Sequence, residues 1–402
     1  MVKSWAMGYL LLLGASSRAR ATCDALDKYL DVPSPLTEDT TITLSVGVIE
    51  CPKLSRDTNP REVERITVEG GTLTIKSDDA VQFINVAFEV NPGAALVFDM
   101  PETLFGPNDE SREDNASGTL LETNEDSSLT FNGDVAIREI ENVGRIIRNV
   151  GSMEFKKTVL IENNINAIPE NTGTLKFGGD STIKGNDGVG IDNFDGGIVR
   201  FDARADFEDN GSQLEGAKGC DVTNDSGSDM GFRGSATFSN TNCRSSEGTS
   251  LYNAGTMTFY GEARFNDIIA RRNGGAVLND LGSLTFRGDV QFNNNDASLL
   301  GGGIAIDGGD VTFQKAVTFR ENTAESGGAF ALLVNRNFNT GEVFESGFGS
   351  LTFEEPDLVR FEDNFVDTRT SFGTDDDCTV GEVEEGTTLI GFPGDDVCVT
   401  AT

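Results

Sequence analysis

Three consecutive stretches of this chain are built to one pattern at a fixed distance, and that constrains the fold more than anything else. Gly255-Thr-Met-Thr-Phe259, Gly282-Ser-Leu-Thr-Phe286 and Gly309-Asp-Val-Thr-Phe313 are spaced 27 residues apart. Each is followed six residues after its last Phe by another, at Phe265, Phe292 and Phe319. A period of roughly 20–50 residues marks a stacked repeat, whose units cannot bury their apolar face alone.

Looser copies extend the pattern in both directions. Leading anchors fall at Ile75, Phe131, Phe155, Phe177, Phe201, Phe232, Phe259, Phe286, Phe313 and Phe353. Second apolar positions follow at Ile137, Ile161, Ile183, Phe207, Phe238, Phe265, Phe292, Phe319 and Phe361. Each anchor ends an apolar-x-apolar triplet such as Leu284-Thr-Phe286, the alternation of a short strand with one buried face. Turn chemistry fills the gaps. Asn149, Asn171, Asn193, Asn224, Asn253, Asn279 and Asp307 precede the anchors, and a second set sits at Asn164, Asn186, Asn210, Asn295, Asn322 and Asn364. These residue types tolerate the left-handed backbone of a sharp corner. Gly274-Gly-Ala, Gly301-Gly-Gly and Gly327-Gly-Ala open the segments returning to the next copy.

One copy therefore holds about three short strands and three corners. Stacked at the interstrand spacing of roughly 4.8 Å, the copies bury their rings in a continuous ladder. A β-propeller blade, at about 40 residues, is too long for this period. The expected fold is all-β: a single-stranded, right-handed parallel β-helix of about ten coils. Residues 1–21 read as a signal peptide, 22–69 as an N-terminal cap with a short helix at 24–30, 70–370 as the solenoid and 371–402 as a C-terminal cap. Lys3, the apolar run 6–15 and Ala19-Arg-Ala21 have the order of an export signal, and the run is too short to span a membrane. No later segment reads as a span, so the expected product is secreted.

Six cysteines in an exported chain are expected to be oxidised. Proximity pairs Cys23 with Cys51, Cys220 with Cys243 and Cys378 with Cys398, among the fifteen pairings open to six thiols. The outer two pairs would staple the end caps. Asn115-Ala-Ser, Asn210-Gly-Ser and Asn224-Asp-Ser have the form of N-glycosylation acceptors and fall in expected loops. Two bulges, Glu208–Gly231 and Asn335–Ser350, are expected to protrude.

Charge limits the partners. The whole chain carries 31 basic and 66 acidic residues; without Lys3, Arg18 and Arg20 the balance is 28 − 66 = −38. Nucleic acid is excluded, since phosphate binding needs the opposite sign. No resident cofactor is implied, and weak, nonspecific Ca²⁺ binding follows from charge alone. The chain has no His, so a mechanism needing that base is out, while a carboxylate-only glycosidase or a lyase with an Arg or Lys base remains open. Asp78-Asp79, Asp126, Asp134, Arg200, Arg264 and Arg360 are the candidates, without fixed spacing. A lateral cleft holding Arg or Lys beside two or three carboxylates would favour an enzyme. Sugar platforms are scarce: without Trp5 there is no Trp, and the remaining tyrosines are Tyr29, Tyr252 and Tyr260. An outward Thr rank at Thr74, Thr130, Thr258, Thr285, Thr312 and Thr352, of the kind that binds ice, is broken by Glu154, Lys176, Arg200 and Gly231; β-propensity explains it more simply.

Gly-Gly-Ala-apolar at 274–277 and 327–330, alternating with Phe-x-x-Asn at 292–295, 319–322 and 361–364, resembles the repeat of the chlamydial polymorphic outer membrane proteins. Gly301-Gly-Gly-Ile304 departs by one residue. The resemblance is closest over about 260–370 and implies a right-handed β-helix of the pectate-lyase-like superfamily. Its members include adhesins carried by a C-terminal membrane barrel, for which the chain after Phe361 is too short. Together these features point to a secreted, non-catalytic module that binds a cell-surface or matrix protein or glycan. The alternative is a lyase or hydrolase of acidic polysaccharides.

Overall fold

The structure is a computed structural model, and it describes residues 20–22, 39–44, 48–50, 64–84, 86–106, 116–140, 143–165, 168–211, 218–243, 249–333, 349–355, 358–366 and 388–390. One coil shows the path. Val277–Asp280 lies in sheet 1, Ser283–Phe286 in sheet 2, Val290–Asn293 in sheet 3 and Asp296–Leu300 in a short sheet 4, before the next coil starts at Ile304–Asp307. Each strand pairs in parallel with its equivalent one coil away. The sheets hold 11, 13, 13 and 5 strands, and the described residues contain no α-helix. The chain is a parallel β-helix.

Sheet 2 carries the anchors in unbroken register from Ile42 through Ile75, Phe98 and Phe131 to Phe313 and Phe353. Its thirteenth strand, Thr388–Ile390, pairs antiparallel with Ser350–Phe353, so 13 − 1 = 12 strands form parallel rungs. The motif identifies ten of those anchors; Ile42 and Phe98 are the two it misses. Parallel pairing also reaches Val48–Glu50 and, through it, Arg20–Thr22, which overlaps the end of the expected leader. The rest of residues 1–21, the 24–30 helix, Cys23, Cys51, Cys378, Cys398, Asn115, Tyr29 and most of the 335–350 bulge lie outside the described residues.

The interior is two columns of phenyl rings at right angles. On sheet 2 successive rings stack face to face, as at Phe232–Phe259 (4.5 Å, 3°) and Phe286–Phe313 (4.9 Å, 5°). On sheet 3 Phe265–Phe292 and Phe292–Phe319 do the same at 4.9 Å. Rings of the two columns meet edge to face at about 6.2 Å. Offset stacks and edge contacts are the geometries a ring quadrupole favours, adding about 0.5–1.5 kcal/mol per pair to burial. Stacking identical residues at strand spacing produces both at once.

The asparagines do a different job from the one their identity suggests. Asn149, Asn171, Asn193, Asn224, Asn253 and Asn279 are buried and have ordinary backbone angles. Each Nδ2 donates to the next Oδ1 at 2.6–2.8 Å, from Asn149 to Asn171 through Asn253 to Asn279. The second set is equally buried except for Asn364, which is half-buried. There the left-handed residue is the one immediately before, as in Asp209, Asn294, Glu321 and Asp363. The chain turns outward on an exposed residue, and the following amide reaches inward to satisfy backbone and side-chain groups of the adjoining coils.

The expectations for two sequons and one bulge are corrected as well. Asn210 and Asn224 are fully buried with Nδ2 already donating, to Ile183 O and Asp221 Oδ1 and to Asn253 Oδ1 respectively. A glycan on either nitrogen is incompatible with these columns. Nor is 208–231 one protruding bulge: Gly219–Asn224 is a sheet 1 strand with all six residues buried. Within it, Cys220 is joined to Cys243 with Cα atoms 5.8 Å apart, the pairing proximity suggested.

Candidate functional site

Alternation on sheet 1 sends every second side chain outward. Over four coils the outward column reads Asp192, Thr223, Tyr252, Leu278, in register across Ile191–Asn193, Gly219–Asn224, Thr249–Asn253 and Val277–Asp280. Past each ladder Asn the chain turns towards sheet 2, and these corners carry Phe194-Asp195, Asp225-Ser226, Ala254 and Asp280-Leu281. Together with Lys218 and Tyr252 they line an open cleft of about 440 Å³. It lies where corners of unequal length meet: four residues join Asn193 to Ile198 and Asn224 to Asp229, against two between Asn253 and Thr256.

Lys218 organises the cleft. Its Nζ lies 3.0 Å from Asp225 Oδ1 and 4.6 Å from the centre of the Tyr252 ring. The ammonium is thus held between a carboxylate and an aromatic face, a partly exposed cation–π arrangement. Tyr252 is itself nearly buried, and its hydroxyl donates to Asp280 Oδ2 at 2.6 Å. Asp280 opposes Asp307 across the ladder, and burial, then the Asp280 charge, raises the Asp307 carboxyl above its ordinary range. At the other margin Asp192 is pushed up to about 7 by burial, reinforced by the charges of Asp225 and Glu170 and opposed by Lys218. Leu281 sits at the rim, 60% exposed with φ of 61°. A branched residue is seldom found in that left-handed region.

Chemically, the cleft offers carboxylates as hydrogen-bond acceptors, two aromatic side chains, Phe194 and Tyr252, and one fixed ammonium. Its lining holds three acids, Asp195, Asp225 and Asp280, against one base. Among the described residues, no group of three or more His, Cys, Asp or Glu is placed to hold a metal ion.

The residues singled out from sequence lie elsewhere and on different faces. Asp78 and Asp79 form an exposed bend between sheets 2 and 3. Asp126 is an exposed turn residue, and Asp134 accepts the Thr158 backbone N–H at 3.0 Å. Arg200 projects from sheet 2 and pairs with Asp229. Arg264 and Arg360 project from sheet 3, the former paired with Glu262 at 2.6 Å. Tyr260 is exposed beneath the Arg287 guanidinium, 4.9 Å from its ring centre. The outward Thr rank is real in the last coils, where Thr258, Thr285, Thr312 and Thr352 align. Further back, Lys176 bridges Glu154 at 3.0 Å and Asp202 at 3.5 Å, so charge replaces hydroxyl. Asp192, Lys218 and Asp225 were not anticipated. The signal was available, since Asp192 and Asp225 each adjoin a ladder Asn, but acids beside Asn also mark ordinary turns.

No helix among the described residues is long and apolar enough to cross a membrane. No family model, no curated protein and no solved structure matches this chain.

Proposed function

We propose that this chain is an exported, non-catalytic β-helix that binds a cell-surface or matrix partner through the Lys218–Tyr252 cleft. One observation carries the reading: where long corners meet a short one, the solenoid opens a cleft with an aromatic wall and ordered polar groups, the usual form of a ligand site. The resemblance of its last coils to adhesin repeats supports it. The lining narrows the ligand. Three acids around one base repel uronate or sulfate polymers and favour neutral or amino sugars, whose hydroxyl and ammonium groups donate to carboxylates. Loose Ca²⁺ association with the acidic exterior is part of the same reading, without a defined site.

The test is a panel of neutral, amino-sugar and uronate polysaccharides, with retention of wild type and Tyr252→Ala compared. Binding to the first two classes, lost in the variant, is expected. Preference for uronates, or equal retention of the variant, overturns the assignment. Amino-terminal sequencing of exported material should begin near Thr22.

A second reading rests on Asp192. A carboxyl raised to about 7 beside the Asp225 carboxylate is the pairing a glycoside hydrolase uses for acid and base. Release of reducing ends from the bound polymer, abolished by Asp192→Asn, would move the chain to that class. Binding without turnover keeps it a binding module.

A further inference from the structure

The buried amide column at the corner after sheet 3 is continuous except in two coils. Asn164, Asn186 and Asn210 pass Nδ2 to the next Oδ1 at 2.9 and 3.0 Å. Asn295, Asn322 and Asn364 repeat this at 2.9 Å. Between the two runs the equivalent positions are Thr241 and Ile268, which offer no amide. The first half of the gap, at Thr241, is bridged from another element. Asp221, on the sheet 1 strand Gly219–Asn224, points inward and is completely buried. Its Oδ1 accepts Asn210 Nδ2 at 2.8 Å, and its Oδ2 accepts the hydroxyls of Thr241 at 2.7 Å and Ser250 at 2.5 Å.

We propose that Asp221 is a proton-binding keystone: the carboxyl that bridges the column to Thr241 takes up a proton in mildly acidic surroundings while keeping its three contacts, and so holds the wide coil together more firmly in acid than at neutral pH. The contacts explain how. An ionised carboxylate only accepts, and here it has three donors. Once protonated, Oδ2 can donate to one hydroxyl and still accept from the other, because Ser and Thr hydroxyls both give and take. Oδ1 keeps the Asn210 bond throughout. The network therefore tolerates both states, which a pair of amide donors in place of the hydroxyls would not.

The surroundings set the direction. From the column the carboxyl faces Asn210, from the corner after Ala236–Ser239 it faces Thr241, and from the next sheet 1 strand it faces Ser250. None is charged. On the preceding strand the titratable residue is Asp192, which opposes outward-facing Thr223 rather than Asp221. With no cation to offset it, burial raises the carboxyl from 3.8 to about 6 against the three hydrogen bonds. A folded value above the unfolded one means stability that is complete below about 3.8 and lost as pH rises through about 6. The effect is placed where it reaches the cleft. The same strand has Lys218 and Asp225 at its two ends, and the adjacent Cys220 ties it to Cys243.

The test is reversible unfolding of the full, disulfide-intact chain and of Asp221→Asn at pH 5 and 7.5. Proton linkage with the values above makes the wild-type unfolding constant rise about tenfold more than the variant's between these conditions. Equal pH dependence in the two proteins overturns the proposal. Carboxyl ¹³C NMR gives an independent reading: the resonance missing from Asp221→Asn should titrate near 6, and titration near 4 refutes it. Should that variant not fold, Ser250→Ala removes one donor to the charged form, and the buried carboxyl's midpoint should move upward. An unmoved midpoint again refutes it.

Discussion

Coils 249–330 and coils 186–248 obey the same winding rule and use it differently. In the first stretch three strands recur at 27 residues, both phenyl columns run unbroken, and Gly274, Gly301 and Gly327 turn the chain with φ of 63–66°. A Cβ at Gly274 would lie 2.2 Å from Val277 O, so that corner admits nothing larger. In the second stretch the coils lengthen and a disulfide and a buried acid appear; the cleft and the interrupted amide column begin there and reach into the first stretch as far as Leu281 and Ile268. Regular stacking excludes chemistry, because every inward atom is matched by its copy. Chemistry enters where the copies cease to match.

If that contrast is right, the largest loss of stability comes from the regular coils. Phe286 is fully buried, stacked on Phe259 and Phe313 at 4.9 Å on either side. Phe286→Ala should cost about 3–5 kcal/mol in denaturant unfolding. A cost under about 1 kcal/mol would mean the ring column is not what holds the coils together. Tyr252→Phe, on the outer face, should by comparison lose about 1 kcal/mol with its bond to Asp280.

The irregular stretch should depend on its covalent tie instead. Cys220 and Cys243 are 23 residues apart, and a loop of that size is worth about 3 kcal/mol in the chain-entropy model. Replacing both with Ser should lower stability by about that amount. Protection of amides against hydrogen exchange should fall in 219–243 and remain in 277–319. Equal loss in both regions would show that the two stretches unfold as one unit.

How much of this was legible beforehand follows the same division. Periodicity exposed the phenyl columns because most outward neighbours were Thr, Lys, Glu or Arg. It hid Phe98, whose outward neighbour Val97 is apolar and whose distance to Phe131 is 33 residues. It hid Ile42 for lack of a Phe. The asparagine columns were visible as positions but mistaken in role, since identity alone does not separate a left-handed corner from a hydrogen-bonded amide. Asp221 and Lys218 could not be found by pattern, because they matter only where the pattern fails. Their setting was half visible in Asn224, which falls in the amide column although the run around it reads as loop.

Acid should favour the irregular stretch further. Asp192 has a folded value of about 7 against 3.8 unfolded, so its contribution is present below about 4 and disappears as pH rises through 7. Discounted for partial exposure, it should make the chain about 1–2 kcal/mol less stable at pH 8 than at pH 5. Asp192→Asn should remove that part of the slope. Asp221 acts with the same sign over a lower range, so the double variant should flatten the profile further. A profile unchanged by Asp192→Asn would mean that its carboxyl titrates in the ordinary range and that the cleft margin is wet.

The smallest effect is the one that best separates padding from a built rim. Leu281 pays the left-handed penalty, about 1–2 kcal/mol for a residue with a Cβ, while exposing most of its side chain. Leu281→Gly relieves that strain at an entropic cost of about 0.5–1 kcal/mol, so it should stabilise the fold by about 0.5–1 kcal/mol. The corner Asn253-Ala-Gly255 turns without a left-handed residue, and Asp307-Gly-Gly-Asp310 uses glycine for it, so a strained leucine is not forced by the winding itself. A stabilised variant that loses ligand retention would show that the leucine is kept for contact at the cleft mouth. A stabilised variant that binds as before would return Leu281 to surface padding and confine the site to Lys218, Tyr252 and the acids around them.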